Sequence, residues 1–297
     1  MENKKTTPKI AIILLNYNNY EDTFACVESL QRVRYPNVDI IIIDNKSTND
    51  SLEKLYKLKS ENIKIVDSGK NGGFAFGNNM GMKIAREENS DYVLLLNNDT
   101  IVTENFLDEL LKCFSYEEDV GIATGRIMYN SEKDKVWYAG GKIDWNNLRA
   151  IHRGINGTVY STKGMENVGF ASGCCMMISK ECLRKVGGLP EDYFMYYEDL
   201  DYCVKVTEAG YKIIYNPESV IYHCVSSSGG GEESPFVIEW TNRSRRKLYH
   251  KYKRYIKKLH RPVVCAKCEI RSILKIVTNR KGFIKAMQAY IKSYQTV

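Results

Sequence analysis

The sequence predicts an α/β fold, a mostly parallel sheet flanked by helices, followed by a basic helical C-terminal extension. Three observations carry this prediction. Short apolar runs recur through the first 115 residues, each followed by polar residues and then a helical repeat. The polar residues that end those runs are rich in Asn and Asp. Charge divides sharply near residue 243.

Residues 9–15 and 38–43 are short, mostly apolar runs, as expected of parallel strands covered on both faces. Phe24, Val27 and Leu30 fall on one helical face behind the first run. Leu52, Leu55 and Leu58 do so behind the second, where residues 47–49 offer N-caps. A third strand is expected at 63–66, then a Gly/Asn-rich loop over 71–81, a helical stretch over 80–88 and a strongly apolar strand at 92–96. Thr103 is expected to cap a helix with Phe106, Leu107, Leu110, Leu111 and Phe114 as its buried stripe. Beyond residue 115 the pattern loosens into a Gly/Asn-rich stretch over 140–164 and an apolar run at 174–178. A helix beginning near Glu198, strands at 211–215 and 219–225, and a mobile loop over 226–233 complete the expected order.

At 297 residues and 43% hydrophobic, the chain can bury a large core, which excludes a disordered or fibrous protein. Its nine cysteines, an odd number spread from Cys26 to Cys268, do not fit a stapled secreted scaffold, so reduced and mostly buried thiols are expected. The polar residues 1–9 and the brief apolar stretch 10–15 match neither a signal peptide nor a membrane span, which points to the cytoplasm. Residues 243–297 hold 17 Lys and Arg against one acid, Glu269, a net charge of +16. Residues 1–242 hold 26 basic and 35 acidic groups, a net charge of −9. A basic tail on an acidic body attracts phosphate-rich polyanions, either nucleic acid or an anionic membrane surface.

Open parallel sheets bind ligands at the carboxyl ends of their strands. Here those ends carry Asn16 and Tyr17, Asp44 and Asn45, and the run Asn97, Asn98, Asp99. Any one of them could be a turn or a helix cap. Three sets at one edge point to a ligand, and residues two apart on an extended strand converge on one side. Asp99 offers a hard oxygen for Mg²⁺ or Mn²⁺, an ion completed by substrate phosphates and water. Neither the dinucleotide fingerprint nor a P-loop is present. The stretch from Asn71 to Gly81 lets backbone approach a ligand closely. Glu198, Asp199 and Asp201 place three carboxylates at a helix start, where acids also favour the helix dipole. Asp199 has aromatic neighbours fit to line a sugar site, and attack by a sugar hydroxyl needs a carboxylate base. His223, ending a strand, has a nitrogen for a metal.

With these residues in place, the chain resembles family-2 glycosyltransferases of the GT-A fold, especially the rhamnosyltransferase-like bacterial group that builds cell-surface polysaccharides. The resemblance covers roughly residues 9–250 and runs in order through LNYNN, IIIDNKSTNDS, NGGFAFGNNMG, LLLNNDT, SGCCMMIS, YYEDLDYC and IYH. It implies an inverting transferase with Asp99 and His223 on the metal, Asp199 as base, and Asn16, Asp44, Gly73 and Asn78 around the nucleotide. Tyr17, Asn45, Asn97 and Asn98 join them as donor candidates, while Glu198 and Arg243 are candidates for acceptor or phosphate contacts. Asn97 stands where the family's D-x-D pattern has its first acid. The implied organisation is a catalytic domain over 1–242, with a nucleotide half to about 115 and an acceptor half from 116, and an extension over 243–297. The expected partners are a nucleotide-diphosphate sugar and a saccharide acceptor that is lipid-linked and, from the charge of residues 243–297, the anionic inner face of the cell membrane, with a homo-oligomer left open.

Two other classes remain in view. A nucleotidyltransferase would carry a Gly-rich basic loop after the first strand, which is missing. A non-catalytic sugar or nucleic-acid binding module would not need acids at 99 and 199, though Tyr249, Tyr252 and Tyr255 among basic residues keep RNA stacking open. Cys265 and Cys268 are half of a zinc pattern without a second half. The tail could also be a solvated helical face packed on the catalytic domain.

Overall fold

A computed structural model describes residues 7–158, 164–225, 234–278 and 282–294. In chain order the first half reads β1 (Ile10–Asn16), α1 (Tyr20–Leu30), β2 (Val38–Asp44), α2 (Ser51–Leu55), β3 (Ile63–Asp67), α3 (Gly73–Glu87), β4 (Tyr92–Asn97), β5 (Thr100–Val102) and α4 (Phe106–Cys113). It continues through β6 (Val120–Tyr129), β7 (Val136–Tyr138), β8 (Gly141–Asp144), β9 (Arg149–His152), β10 (Glu166–Asn167), β11 (Cys175–Ser179) and α5 (Lys180–Val186). The last elements are α6 (Glu198–Glu208), β12 (Lys212–His223), α7 (Pro235–Tyr252), α8 (Arg261–Thr278) and α9 (Phe283–Lys292).

The main sheet has the order β10-β12-β6-β11-β4-β1-β2-β3. Strands β3, β2, β1 and β4 run parallel, so their carboxyl ends emerge on one edge. β11 is antiparallel to both β4 and β6, and β12 returns parallel to β6. Ile12, Ile13, Leu14, Ile41, Ile42 and Leu94 are wholly buried, because helices cover both faces. Truncating one of them, such as Ile13→Ala, costs about 2–5 kcal/mol through lost transfer energy and the cavity left behind.

The expected loop over 71–81 is instead the front of α3, which begins at Gly73. Gly77 and Gly81, one helical turn apart, lie against the side chains of Leu15 and Ile13, where added methyl groups would collide. The glycines let the helix sit close on β1, and this packing outweighs their weak helix propensity. Thr103 does not cap α4. Its hydroxyl donates to the Val220 carbonyl at 2.8 Å, and Asn105 precedes the helix. Nor do residues 47–49 cap α2 directly, since Asp50 holds the cap position and Ser47 turns back to Asp44. The strands expected at 211–215 and 219–225 are one strand, β12, with an irregularity between Asn216 and Val220. The stretch 140–164 contains the β8–β9 hairpin, and the loop expected over 226–233 lies outside the described residues. All nine cysteines are free, and seven are buried.

The position expected as the start of the extension, residue 243, falls inside α7. Asp201 of α6, wholly buried, accepts from Lys251 Nζ at 2.6 Å and from the Tyr252 hydroxyl at 2.7 Å. Ile256, Val264 and Cys268 join the main core, and Ile238, Ile276, Ala286, Ala289 and Tyr290 form a second small one. Arg246 meets Glu269 through two bonds of 3.0 Å. Tyr252 is thus buried and closed to a nucleic-acid base, while Tyr255 stacks one face on Trp145 at 4.7 Å and stays 44% exposed. Cys268 is buried too, its thiol directed at the Asn147 carbonyl.

Candidate active site

The strand-end residues divide into an inner frame and an outer rim. Asn16 and Asp44 sit opposite one another in register, wholly buried, with Asn16 Nδ2 donating to Asp44 Oδ2 at 2.8 Å. Asp44 also accepts from the Ser47 amide at 2.8 Å and hydroxyl at 2.6 Å, and Asn16 Oδ1 accepts from Thr23. A buried carboxylate held this way locks the β1 and β2 ends together. Asn45 extends the frame to α3, donating to Asn71 at 3.0 Å and to the Gly73 carbonyl at 3.2 Å. Gly73 has φ +86°, and a Cβ there would run into the Phe194 carbonyl, which accepts from the Phe74 amide at 2.9 Å. Asn78 is buried and bonds back to the Phe74 carbonyl within α3. Tyr17 is exposed at the rim.

The run ending β4 splits by side. Asn98 turns towards α1, bonding Thr23 and the Asn19 carbonyl. Asn97 and Asp99 turn towards His223, with Asn97 Nδ2 at 3.4 Å and Asp99 Oδ1 at 3.1 Å from its Nε2. His223 is delivered by β12, where it pairs with Thr100 of β5, and the edge of Trp137 packs on its ring at 4.8 Å. Its buried Nδ1 has no protein partner. A carboxylate oxygen facing an imidazole nitrogen is bridged either by the ring's N–H hydrogen or by a cation. Two ligands bonded at about 2.1 Å to one octahedral ion stand about 3 Å apart, as Asp99 and His223 do. The residues present therefore fit a divalent cation. Among the described residues no group of three or more His, Cys, Asp or Glu side chains could hold a metal, so an ion here would need further ligands from outside the protein.

Asp199 stands at the start of α6, just after Tyr196 and Tyr197, two residues in the left-handed region at φ 68° and 73°. Bulky residues adopt that conformation only where surrounding contacts enforce it, as at functional sites. The Gly173 amide donates to Asp199 Oδ2 at 3.1 Å and the Leu200 amide to Oδ1 at 2.7 Å. The neighbouring Cys174 carbonyl accepts from the Asn97 amide, so the segment 173–174 ties the carboxylate to the end of β4. Burial raises the Asp199 pKa above the usual range, and the Gly173, Leu200 and Asp199 amides oppose that rise. Glu198 is buried, and its pKa is pushed well above the usual range by burial and then by the Asp199 charge. Its Oε2 has no partner. Of the two adjacent carboxyls, Asp199, with amide donors on both oxygens, gives up its proton more readily than Glu198, whose pKa is pushed further up and whose Oε2 is unpartnered.

Arg243 lines a cleft beside Gly72 and Phe194, next to the Gly73 end of the frame. It pairs with Glu239 at 3.0 Å and covers the Trp240 ring, and the cleft, of about 270 Å³, is also lined by Lys247. Sequence reasoning missed Gly173, Asn71 and Trp137. Asn71 and Gly173 sit inside the quoted motifs, but nothing local marks their partners, and Trp137 lies on a three-residue strand with no pattern of its own.

The family model described as "Glycosyl transferase family 2" matches residues 11–187. The chain is 26% identical over 240 residues to the uncharacterized protein y4gI of Sinorhizobium fredii, covering 77% of this chain and 26% of that one. It is 29% identical over 201 residues to the low-salt glycan biosynthesis hexosyltransferase Agl10 of Haloferax volcanii, covering 66% and 61% respectively. It is also 27% identical over 224 residues to the poly-beta-1,6-N-acetyl-D-glucosamine synthase of Staphylococcus aureus, covering 75% and 51%. The chain thus spans only part of each of these relatives. Among solved structures, the mannosyltransferase PcManGT of Pyrobaculum calidifontis in complex with GDP-Man and Mn²⁺ aligns with TM-score 0.59 at 14% identity over 99% of this chain and 77% of that one. GalNAc-T7 with UDP, GalNAc and Mn²⁺ aligns with TM-score 0.63 at 16% identity over 84% and 49%. Both likenesses are of fold, a GT-A-like sheet.

Proposed function

The chain belongs to glycosyl transferase family 2, and from that premise we propose that it is an inverting glycosyltransferase moving a sugar from a nucleotide-diphosphate donor to a saccharide hydroxyl. The observation that carries this reading is the Asp199 carboxyl group, held by two backbone amides and tied through 173–174 to the β4 end that bears Asp99. Asp199 accepts the acceptor's proton as its oxygen attacks the anomeric carbon, and the nucleotide diphosphate leaves from the opposite face. Protonated Glu198 beside it adds no competing charge and can donate a hydrogen bond to the acceptor. Asp99 and His223 would hold Mg²⁺ or Mn²⁺, which supplies positive charge to the departing diphosphate. Both solved neighbours are complexes with Mn²⁺, which supports this choice of ion. Asn16, Asp44, Asn45, Gly73 and Asn78 shape the floor on which the nucleotide rests, with Tyr17, Asn97 and Asn98 at its edge.

The finer reading is a rhamnosyl donor on deoxythymidine diphosphate and a lipid-linked acceptor in cell-surface polysaccharide synthesis. It is supported by the order of the motifs and by relatives named for glycan and polysaccharide synthesis. In this reading residues 1–242 are the catalytic domain, and 243–297 hold it peripherally on the inner face of the membrane. A panel of dTDP-rhamnose, GDP-mannose, UDP-GalNAc and related donors, scored for transfer or hydrolysis with and without Mn²⁺, tests the proposal. Metal-stimulated turnover of one donor supports it, and release of pyrophosphate instead of nucleotide diphosphate would refute it.

A further inference from the structure

Helix α8 is apolar on two opposite sides. Val264, Cys268, Ser272 and Ile276 recur every fourth residue and are buried against the body. Val263, Ile270 and Val277 recur every seventh residue and stand 64%, 56% and 54% exposed. At 3.6 residues per turn the two stripes lie roughly 180° apart. Helix α9 repeats the arrangement, with Ala286, Ala289 and Tyr290 inside and Ile284 and Ile291 outside. A helix that packs by one face ordinarily turns a polar face to water, so a second apolar stripe needs its own partner.

Two groups stand out among the cations of residues 243–294. Arg243, Arg246, Lys247, Lys251, Arg254 and Lys292 form ion pairs with acids of this protein. Lys253, Lys257, Lys258, Lys267 and Lys285 are exposed and form no ion pair among the described residues. Glu269, the sole acid of 243–297, is held by Arg246, Tyr290 and Tyr294.

We propose that the outer stripes of α8 and α9 are a docking surface for an anionic lipid bilayer, lying in its interface with the lysines towards lipid phosphates. The proposal rests on the peripheral location proposed above and adds the face that makes contact and the cations that are available to it. No helix among the described residues is long and apolar enough to cross a membrane, which fits an in-plane arrangement. Charge argues against a second copy of the chain as occupant, since two such faces would bring lysines against lysines with no acid between them.

The test is cosedimentation of the full chain with phosphatidylglycerol/phosphatidylcholine vesicles and with phosphatidylcholine alone, at low and high salt. Binding to the anionic vesicles that weakens with salt is expected. The pair Ile270→Ser and Val277→Ser, which leaves charge unchanged, should weaken it at least tenfold. Lys257→Gln with Lys258→Gln should lower the salt dependence, and Tyr56→Ser, an exposed change on the body, should leave binding unaltered. Melting curves confirm that each variant folds. A chain that binds no vesicle overturns both the peripheral location and this surface. Binding that ignores Ile270 and Val277 overturns the surface alone, and equal binding to both vesicle types overturns its electrostatic part. A dimer abolished by the same serine pair, without vesicle binding, would assign the face to a second copy.

Discussion

Replacing Asp199 with Asn removes the negative charge while keeping the shape of the side chain, and the structure separates its two consequences. Both carboxylate oxygens accept backbone hydrogen bonds, from Gly173 and from Leu200. An amide can accept only one of them and sets its own NH₂ against the other, a lost bond worth roughly 1–3 kcal/mol of stability. The chemical consequence is larger. Loss of a positioned general base lowers transfer by about 10²–10⁴-fold, equivalent to about 3–5 kcal/mol of barrier. Donor binding should be nearly intact, since Asp199 contacts no part of the frame formed by Asn16, Asp44 and Asn45. The assay is single-turnover transfer with the donor identified by the panel, alongside calorimetric donor binding and a melting curve. Glu198→Gln is the control, because replacing a neutral carboxyl with an amide leaves the Asp199 charge in place. If Glu198→Gln cripples transfer and Asp199→Asn retains it, the protonation pattern argued from the hydrogen bonds is reversed.

Asp99→Ala should abolish Mn²⁺-dependent binding of the nucleotide diphosphate in a calorimetric titration, and unchanged affinity would remove Asp99 from the metal site. Transfer should rise with pH through an acid limb above the ordinary Asp range near ~4, because burial raises Asp199 and only its ionised form can take a proton. A limb at or below that range in a kcat/KM profile would contradict this. Glu198 binds its proton more tightly folded than unfolded, so its contribution to stability is full in acid and is lost as pH rises through the raised value. Glu198→Gln should therefore gain stability relative to the native chain as pH rises, measured by denaturant unfolding at several pH values. Asp201→Ala leaves the Tyr252 hydroxyl without its acceptor and should destabilise the chain by about 1–3 kcal/mol in the same measurement, through the contact between α6 and α7.

Much of this architecture is written locally. A parallel strand covered on both faces must be apolar along its length and turn polar where it leaves the sheet, so β1, β2 and β4 and their ends at Asn16, Asp44 and Asn97 could be read from the chain alone. The glycines of α3 could not, because their meaning depends on Leu15 and Ile13 in another element. His223 meets the β4 motif because β12 pairs with β5, the strand that directly follows that motif, bringing together residues 126 positions apart. Likewise the Glu198–Asp199 pair could be seen in the sequence, but its ionisation depends on a Gly173 amide 26 positions away. The +16 of residues 243–297 is a sum that any sequence reader can make. Folding decides which of those charges are neutralised by Glu239, Asp201 and Glu208 and which remain outside, since pairing depends on distances across elements and composition carries none.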